Sequence, residues 1–253
     1  MVPTGVSTAP LPPGRPIRER LPAIGEEDEI VLWYGGLWNW VDPVTPVRAM
    51  PSLLQRRPGA KLVFLGRTPG VAHEGGEARA AHRLAEELGL TGRSVFFLEE
   101  IVPYAERGAW LREADCAVST HVEHLETRFA FRTRVLDFIW ARLPVVCTAG
   151  DELSALVERD GLGAAVPPGD PEALAAALAR VLESGRDTFA QAGDRAATEL
   201  AWPRLAEPLV AFATAATSPP RLGHAALVPA LPGPPARALA TRALQAAAGL
   251  LRR

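Results

Sequence analysis

Arg132, Thr133, Arg134 and Asp137 stand where a polar stretch runs into a short amphipathic segment, residues 135–141, closed by Arg142-Leu143-Pro144. A helix start exposes unpaired backbone N–H groups and carries a partial positive charge, so cations there need a compensating anion. Two arginines at such a start describe an anion site, most simply one for a phosphate. Asp137 lies one helical turn further in, where a carboxylate can accept hydrogen bonds from sugar hydroxyls. Together these groups point to a nucleotide sugar rather than to a nucleic-acid groove.

Other reactive residue types lie nearby. The run His121-Val122-Glu123-His124-Leu125-Glu126 holds potential metal ligands, but its His-x-x-His spacing is loose and no clear further ligand stands elsewhere. It reads as a polar loop of the site, with no metal. Trp38 and Trp40 suit either stacking on a sugar or base or sealing a domain interface. Gly35-Gly36 does not extend to a G-x-G-x-x-G fingerprint, which disfavours a nicotinamide enzyme.

The elements that must position these residues alternate along the chain. Apolar runs at 30–34, 61–66, 94–98, 116–119 and 145–147 read as strands buried on both faces, with a short sixth at 162–166. Between and after them, helical periodicity covers 43–57, 77–88, 104–113, 135–141, 152–159, 170–182, 189–200 and 203–216. Asp170 is a candidate N-cap with Pro171 at the first helical position. Such alternation implies an α/β fold, a doubly wound parallel sheet covered by helices on both faces. Ligands of these sheets bind beyond the carboxyl ends of the strands. The loops there gather Asn39, Asp42, Arg67, His121, His124, Glu126, Arg132 and Asp151. Residues 1–28 read as an irregular proline-rich lead-in, 29–216 as the domain, 217–235 as a proline-rich linker and 236–253 as an arginine-bearing C-terminal helix.

The chain has 253 residues, 48% of them hydrophobic, enough for a sizeable core. Its formal net charge of -2 argues against a general polyanion binder, and so against a nucleic-acid partner. Cys116 and Cys147 each sit in an apolar run and read as buried thiols, as suits a reducing cytoplasm. No apolar run approaches the ~20 residues of a membrane span, and the N-terminus has no signal-peptide pattern. Contact of the C-terminal helix with an anionic membrane surface is at most peripheral.

The block Leu136 to Val146 resembles the "LEAMACGVPVV" block of retaining glycosyltransferases with the two-domain GT-B architecture. The resemblance is closest to the family-four group, where a subgroup carries blocks similar to Gly35–Pro43 and Glu126–Val146. Val102-Pro103-Tyr104, Gly150-Asp151-Glu152-Leu153 and Ala201-Trp202-Pro203 agree as well. The likeness covers about residues 1–215 and only the C-terminal, donor-binding domain. Val2-Pro3-Thr4-Gly5 resembles the connector entering that domain, and the acceptor domain is expected to be missing or on a separate chain.

The resemblance implies a Rossmann-like half of a GT-B fold that takes a nucleotide-diphosphate sugar of the UDP or GDP type as donor, with no cofactor. It places the diphosphate on the backbone amides of Thr133 and Arg134 and the ribose hydroxyls on Asp137, in place of the family's second glutamate. The first glutamate of the family's E-x7-E motif is replaced here by Phe129, with Glu126 as a substitute for the sugar contact. Gly36 and Val41 occupy the places of the usual basic pair, so Arg132 or Arg134 supplies the positive charge. Gly35 and Gly36 border the donor, and Ile101 and Val102 are candidates for the base. The implied activity is hexosyl transfer with Glu126, Arg132 and Arg134 at the reacting end. The alternative is a non-catalytic nucleotide-sugar-binding or interaction module that needs a separate acceptor-domain chain.

Overall fold

The structure, a computed structural model, describes residues 4–38, 40–66, 76–98 and 102–215. Asn39, the Arg67 loop, Ile101, the expected linker at 217–235 and the expected helix at 236–253 lie outside the described residues. The chain divides into two units, Met1–Glu207 and Pro208–Arg253, with the sheet and the site both in the first.

Among the described residues the sheet has six parallel strands: β1 Glu29–Tyr34, β2 Ala60–Leu65, β3 Val95–Leu98, β4 Cys116–Ser119, β5 Val145–Thr148 and β6 Gly163–Val166. Their order is β3-β2-β1-β4-β5-β6. Winding reverses between β1 and β4, so their connections leave in opposite directions and open a crevice at the carboxyl ends. The strands are mostly apolar because both faces are covered. In β1, Ile30 and Leu32 enter one core layer while Val31 and Trp33 enter the other, following the two-residue period of a strand.

The helices are α1 Pro16–Arg20, α2 Val44–Arg56, α3 Gly76–Glu87, α4 Arg107–Glu113, α5 Leu125–Phe129, α6 Arg134–Ala141, α7 Glu152–Asp160, α8 Pro171–Ser184, α9 Asp187–Glu199 and α10 Trp202–Ala215. One layer is built on α1, α4, α6, α7 and α9, the other on α2, α3 and α8. Asp170 caps α8 as expected, accepting from the Ala173 amide at 2.9 Å, with Pro171 at the first helical position. Both cysteines are free and buried.

Two expectations need correction. The lead-in is part of the domain: α1 lies within it, and Val6, Ile17 and Ile24 are buried in the core. The α1 start is held from far along the chain, where Glu113 accepts from the amides of Ile17 at 2.6 Å and Arg18 at 3.0 Å. Its proline content hid a helix whose start is held by a distant carboxylate. The polar loop before α6 likewise contains α5, whose first turn is capped by His124 Nδ1 accepting from the Glu126 amide at 3.2 Å.

Arg186 ties the layer around α6 together. Its guanidinium donates to the carbonyls of Leu111 at 3.1 Å, Arg112 at 2.8 Å and Ala114 at 2.7 Å, and to Ala141. These are orphan carbonyls at the ends of α4 and α6, which a planar five-donor group is suited to satisfy.

Candidate functional site

A cleft of about 320 Å³ opens at the carboxyl ends of β1 and β4, lined by Tyr34, Gly35, Trp38, Trp40, His121, Phe131, Arg132, Thr133, Arg134 and Asp137. Three elements build it. The end of β1 supplies Tyr34 and Gly35, whose positive φ of 115° lets the chain turn away beneath Arg134. The segment after β4 supplies His121, the α5–α6 connection supplies Arg132, and the start of α6 supplies Arg134. The floor is tight: a Cβ on Gly66 would fall 2.7 Å from the Gly35 carbonyl carbon.

Arg134 is the unusual group. Its guanidinium carbon lies 5.6 Å from the centre of the Trp33 ring, and it makes no ion pair among the described residues. Nη1 is closed off from solvent and has no hydrogen-bond partner among the described residues, although the residue as a whole is partly exposed. Burial, reinforced by the nearby charge of Arg132, pushes its pKa down to about 10. It still carries its charge at neutral pH and therefore faces the cleft as an uncompensated cation.

Of the two arginines expected as sources of the positive charge, Arg132 is already paired. It is buried and bonded to Glu126, at 2.9 Å to Oε2 and 3.4 Å to Oε1, with Asp151 Oδ2 at 3.6 Å from its Nε. Two carboxylates already answer its charge, so the positive potential of the cleft comes from Arg134. Glu126 in turn faces Arg132, is half exposed and is not among the cleft-lining residues.

The helix-start amides also need correction. Thr133 N–H donates to the Phe131 carbonyl at 2.9 Å, Val135 to Arg132 at 2.9 Å and Leu136 to Thr133 at 3.0 Å. The backbone at Thr133 is already helical, with φ -53° and ψ -23°, so tight turns satisfy these donors before a ligand could. Of the two amides expected to face a diphosphate, only that of Arg134 makes no backbone bond among the described residues. Thr133 still lines the cleft.

Asp137 is placed as expected, at the cleft and one turn into α6. Burial raises its pKa, while the hydrogen bond from Arg107 Nε at 3.1 Å favours the carboxylate. Across the cleft, burial and then the Asp137 charge push Tyr34 up to about 12, so its hydroxyl keeps its proton.

His121, expected only as one member of a polar loop of the site, lines the cleft. It is 2% exposed, pairs with Val41 in an isolated bridge and donates its backbone amide to Thr148 Oγ1 at 3.0 Å. Its Nε2 is buried without a hydrogen-bond partner among the described residues. Burial first, then the charges of Arg132 and Arg134, lower its pKa to about 3, so the ring is neutral at physiological pH.

The remaining expected residues divide. Trp38 and Trp40 line the cleft and stack on each other, 5.3 Å apart and 4° from parallel. Asp42 caps α2 through Thr45, at 3.0 Å to the amide and 2.5 Å to the hydroxyl. Asp151 caps α7 through Ser154 at 2.7 Å. Gly36 is not among the cleft-lining residues. Val102 packs against the core instead of lining the cleft. Phe129, in the place of the family's first glutamate, is 80% exposed.

The family profile described as glycosyl transferases group 1 matches residues 28–184, more than half of the chain. The chain belongs to that family. Its fold is that of the C-terminal domain of GT-B glycosyltransferases. Anabaena Alr3699/HepE, solved in complex with UDP-glucose, is similar at a TM-score of 0.63 and 16% identity, covering 79% of this chain and 51% of its own. WaaG, a glycosyltransferase involved in lipopolysaccharide biosynthesis, is similar at 0.61 and 19%, covering 86% and 56%. The C-terminal domain of the glycosyl transferase group 1 family protein LpcC from Francisella tularensis is similar at 0.58 and 18%, covering 74% of this chain and 94% of that domain. The chain thus spans about half the length of Alr3699/HepE and nearly all of the isolated LpcC domain. No protein of curated function matches the sequence. Among the described residues no helix is long and apolar enough to cross a membrane.

Proposed function

We propose that this chain is the donor-binding half of a retaining glycosyltransferase that takes a sugar from a nucleotide diphosphate. One observation carries the reading: a guanidinium without an acidic partner among the described residues, Arg134, faces a crevice at the switch point of a parallel sheet, with Asp137 one helical turn away. A buried cation of this kind is stabilised by an anion from outside the chain. A diphosphate supplies the anion, and the ribose attached to it reaches the carboxylate of Asp137. Membership of the family supports the reading, as does a similar structure that holds UDP-glucose.

In such a transfer the bond from the sugar's anomeric carbon to the diphosphate breaks and negative charge grows on the leaving oxygen. Arg134 and its backbone amide, which makes no backbone bond among the described residues, meet that charge, and fixed dipoles and cations in a sheltered cleft stabilise it without reorganising. His121 adds a neutral nitrogen in the same cleft. The acceptor needs a second wall facing this one, supplied by another domain or chain. The isolated 253-residue chain is therefore expected to bind donor and to transfer weakly or not at all.

Titration calorimetry with UDP and GDP tests this. Binding of one of them, weakened by Arg134→Met, is the expected result. No heat from either at millimolar ligand would end the proposal. Steady transfer by the isolated chain would instead remove the need for a second wall.

A further inference from the structure

The cleft carries less free positive charge than a diphosphate carries negative. Arg132 is answered by Glu126 and Asp151, and Asp137 receives Arg107. Arg134 is therefore the one lining cation without an acidic partner among the described residues. A nucleotide-diphosphate sugar bears a negative charge on each of its two phosphates, so one of them lacks a matching cation among the described residues.

His121 is the remaining lining side chain that can become a cation. Its backbone is fixed from two sides, bridged to Val41 and bonded through its amide to Thr148 Oγ1 at 3.0 Å. The residue is 2% exposed, and its Nε2 has no hydrogen-bond partner among the described residues. Buried polar atoms are nearly always paired, so an orphan in a cleft points to a partner from outside the chain.

The groups around the ring leave few places for a proton. From its own segment, Glu126 pairs with Arg132 and His124 Nδ1 caps α5. Asp42, before α2, accepts from Thr45, and Asp151, before α7, accepts from the Ser154 amide. Across the cleft Tyr34 already holds its proton, and Arg134 is already charged. Among the lining groups only His121 and Asp137 have a proton to gain at neutral pH, and Arg107 favours the Asp137 carboxylate. In the empty cleft, burial and the two arginines hold the ring neutral, with a pKa of about 3. A bound anion offsets Arg134 and attracts the protonated ring itself. One negative charge about 4 Å away, at an effective dielectric constant of about 20, favours that form about a thousandfold. Reaching neutrality takes about ten-thousandfold, within the reach of two phosphates.

We propose that His121 is the second cation of the donor site and is charged only when the site is filled. Its ring takes a proton from water as the diphosphate arrives, both ring nitrogens become donors, and the proton returns to water when the nucleotide leaves. This rests on the donor-site reading above. A permanent cation at this position would be repelled by Arg132 and Arg134 in the empty protein, whereas a neutral imidazole packs beside them and supplies charge on demand.

Calorimetry of the full chain with UDP-glucose and GDP-mannose, in PIPES and in Tris, counts the protons taken up, because the two buffers differ in protonation enthalpy. Neither probe has a phosphate that titrates near neutral pH. The expected result is uptake of about half to one proton per sugar nucleotide near pH ~6.5, and none in His121→Gln. Kd should fall severalfold per pH unit, at most about tenfold, from about pH 7.5 to about pH 6, and stay flat in His121→Gln. Asp137→Asn should keep the uptake. Binding without proton uptake overturns the inference and leaves the donor-site reading standing. Uptake that survives His121→Gln, or disappears in Asp137→Asn, overturns it too, since the proton then sits on Asp137. If His121→Gln does not fold, the proton count of the unaltered chain and of Asp137→Asn still decides. A chain that binds neither sugar nucleotide, nor UDP or GDP, sinks the donor-site reading itself.

Discussion

Replacing Arg134 by methionine should move ligand binding and stability in opposite directions. The guanidinium has no acidic partner among the described residues, so its removal breaks no ion pair of the fold. Its pKa, lowered to about 10, sets roughly 3 kcal/mol against the charged form. The contact with the Trp33 ring offsets about 1 kcal/mol of that. Arg134→Met is therefore expected to stabilise the empty protein by about 1–2 kcal/mol, a rise in Tm of a few degrees for a domain of this size. Bound to a diphosphate, the same guanidinium becomes one half of a desolvated charge pair. Truncating such a partner costs about 3 kcal/mol, on the order of a hundredfold in Kd. Thermal melts and calorimetry on the same preparation read both effects. A variant that melts lower and binds UDP or GDP within twofold of the unaltered chain would refute the reasoning, because Arg134 would then be a structural residue.

Two further predictions concern the surroundings of the site. His121 has its pKa lowered to about 3 from the usual 6.5. Below pH 6.5 the unfolded chain takes up a proton that the folded one refuses, so stability is full above that pH and is lost as pH falls toward 3. Denaturant unfolding across this window should show His121→Gln with a slope about 1.4 kcal/mol per pH unit shallower, and identical slopes would contradict it. Arg186→Met strips donors from the carbonyls of Leu111, Arg112, Ala114 and Ala141. It should destabilise the domain by at least ~3 kcal/mol, with Arg186→Lys a partial rescue; a measured loss below ~1 kcal/mol would count against the clamp.

Much of the fold was legible because its signals are local. The strands were visible as apolar runs, since a parallel strand buried on both faces needs no alternation. The Asp170-Pro171 start was visible because a cap acts within three residues. The location of the cleft followed from the same logic, since strands fix which loops meet at the carboxyl edge. The α1 helix was not legible, because the group holding its amides, Glu113, lies in another helix. Nor was the engagement of the Thr133 amide, which depends on a turn through Phe131.

The sequence by itself determined which residue types reach the cleft: two arginines, an aspartate, a histidine and two tryptophans in loops that a parallel sheet must gather. Only the tertiary structure decided what each is free to do. Arg132 and Arg134 are two residues apart and alike in sequence, yet one is matched by Glu126 and Asp151 while the other has no acidic partner among the described residues. Asp137 is steered by Arg107 from a different helix. Helix periods and caps are set by neighbours along the chain. Charge balance is set by neighbours in space, and the carboxylate that completes or leaves open a buried cation is chosen by how the elements pack.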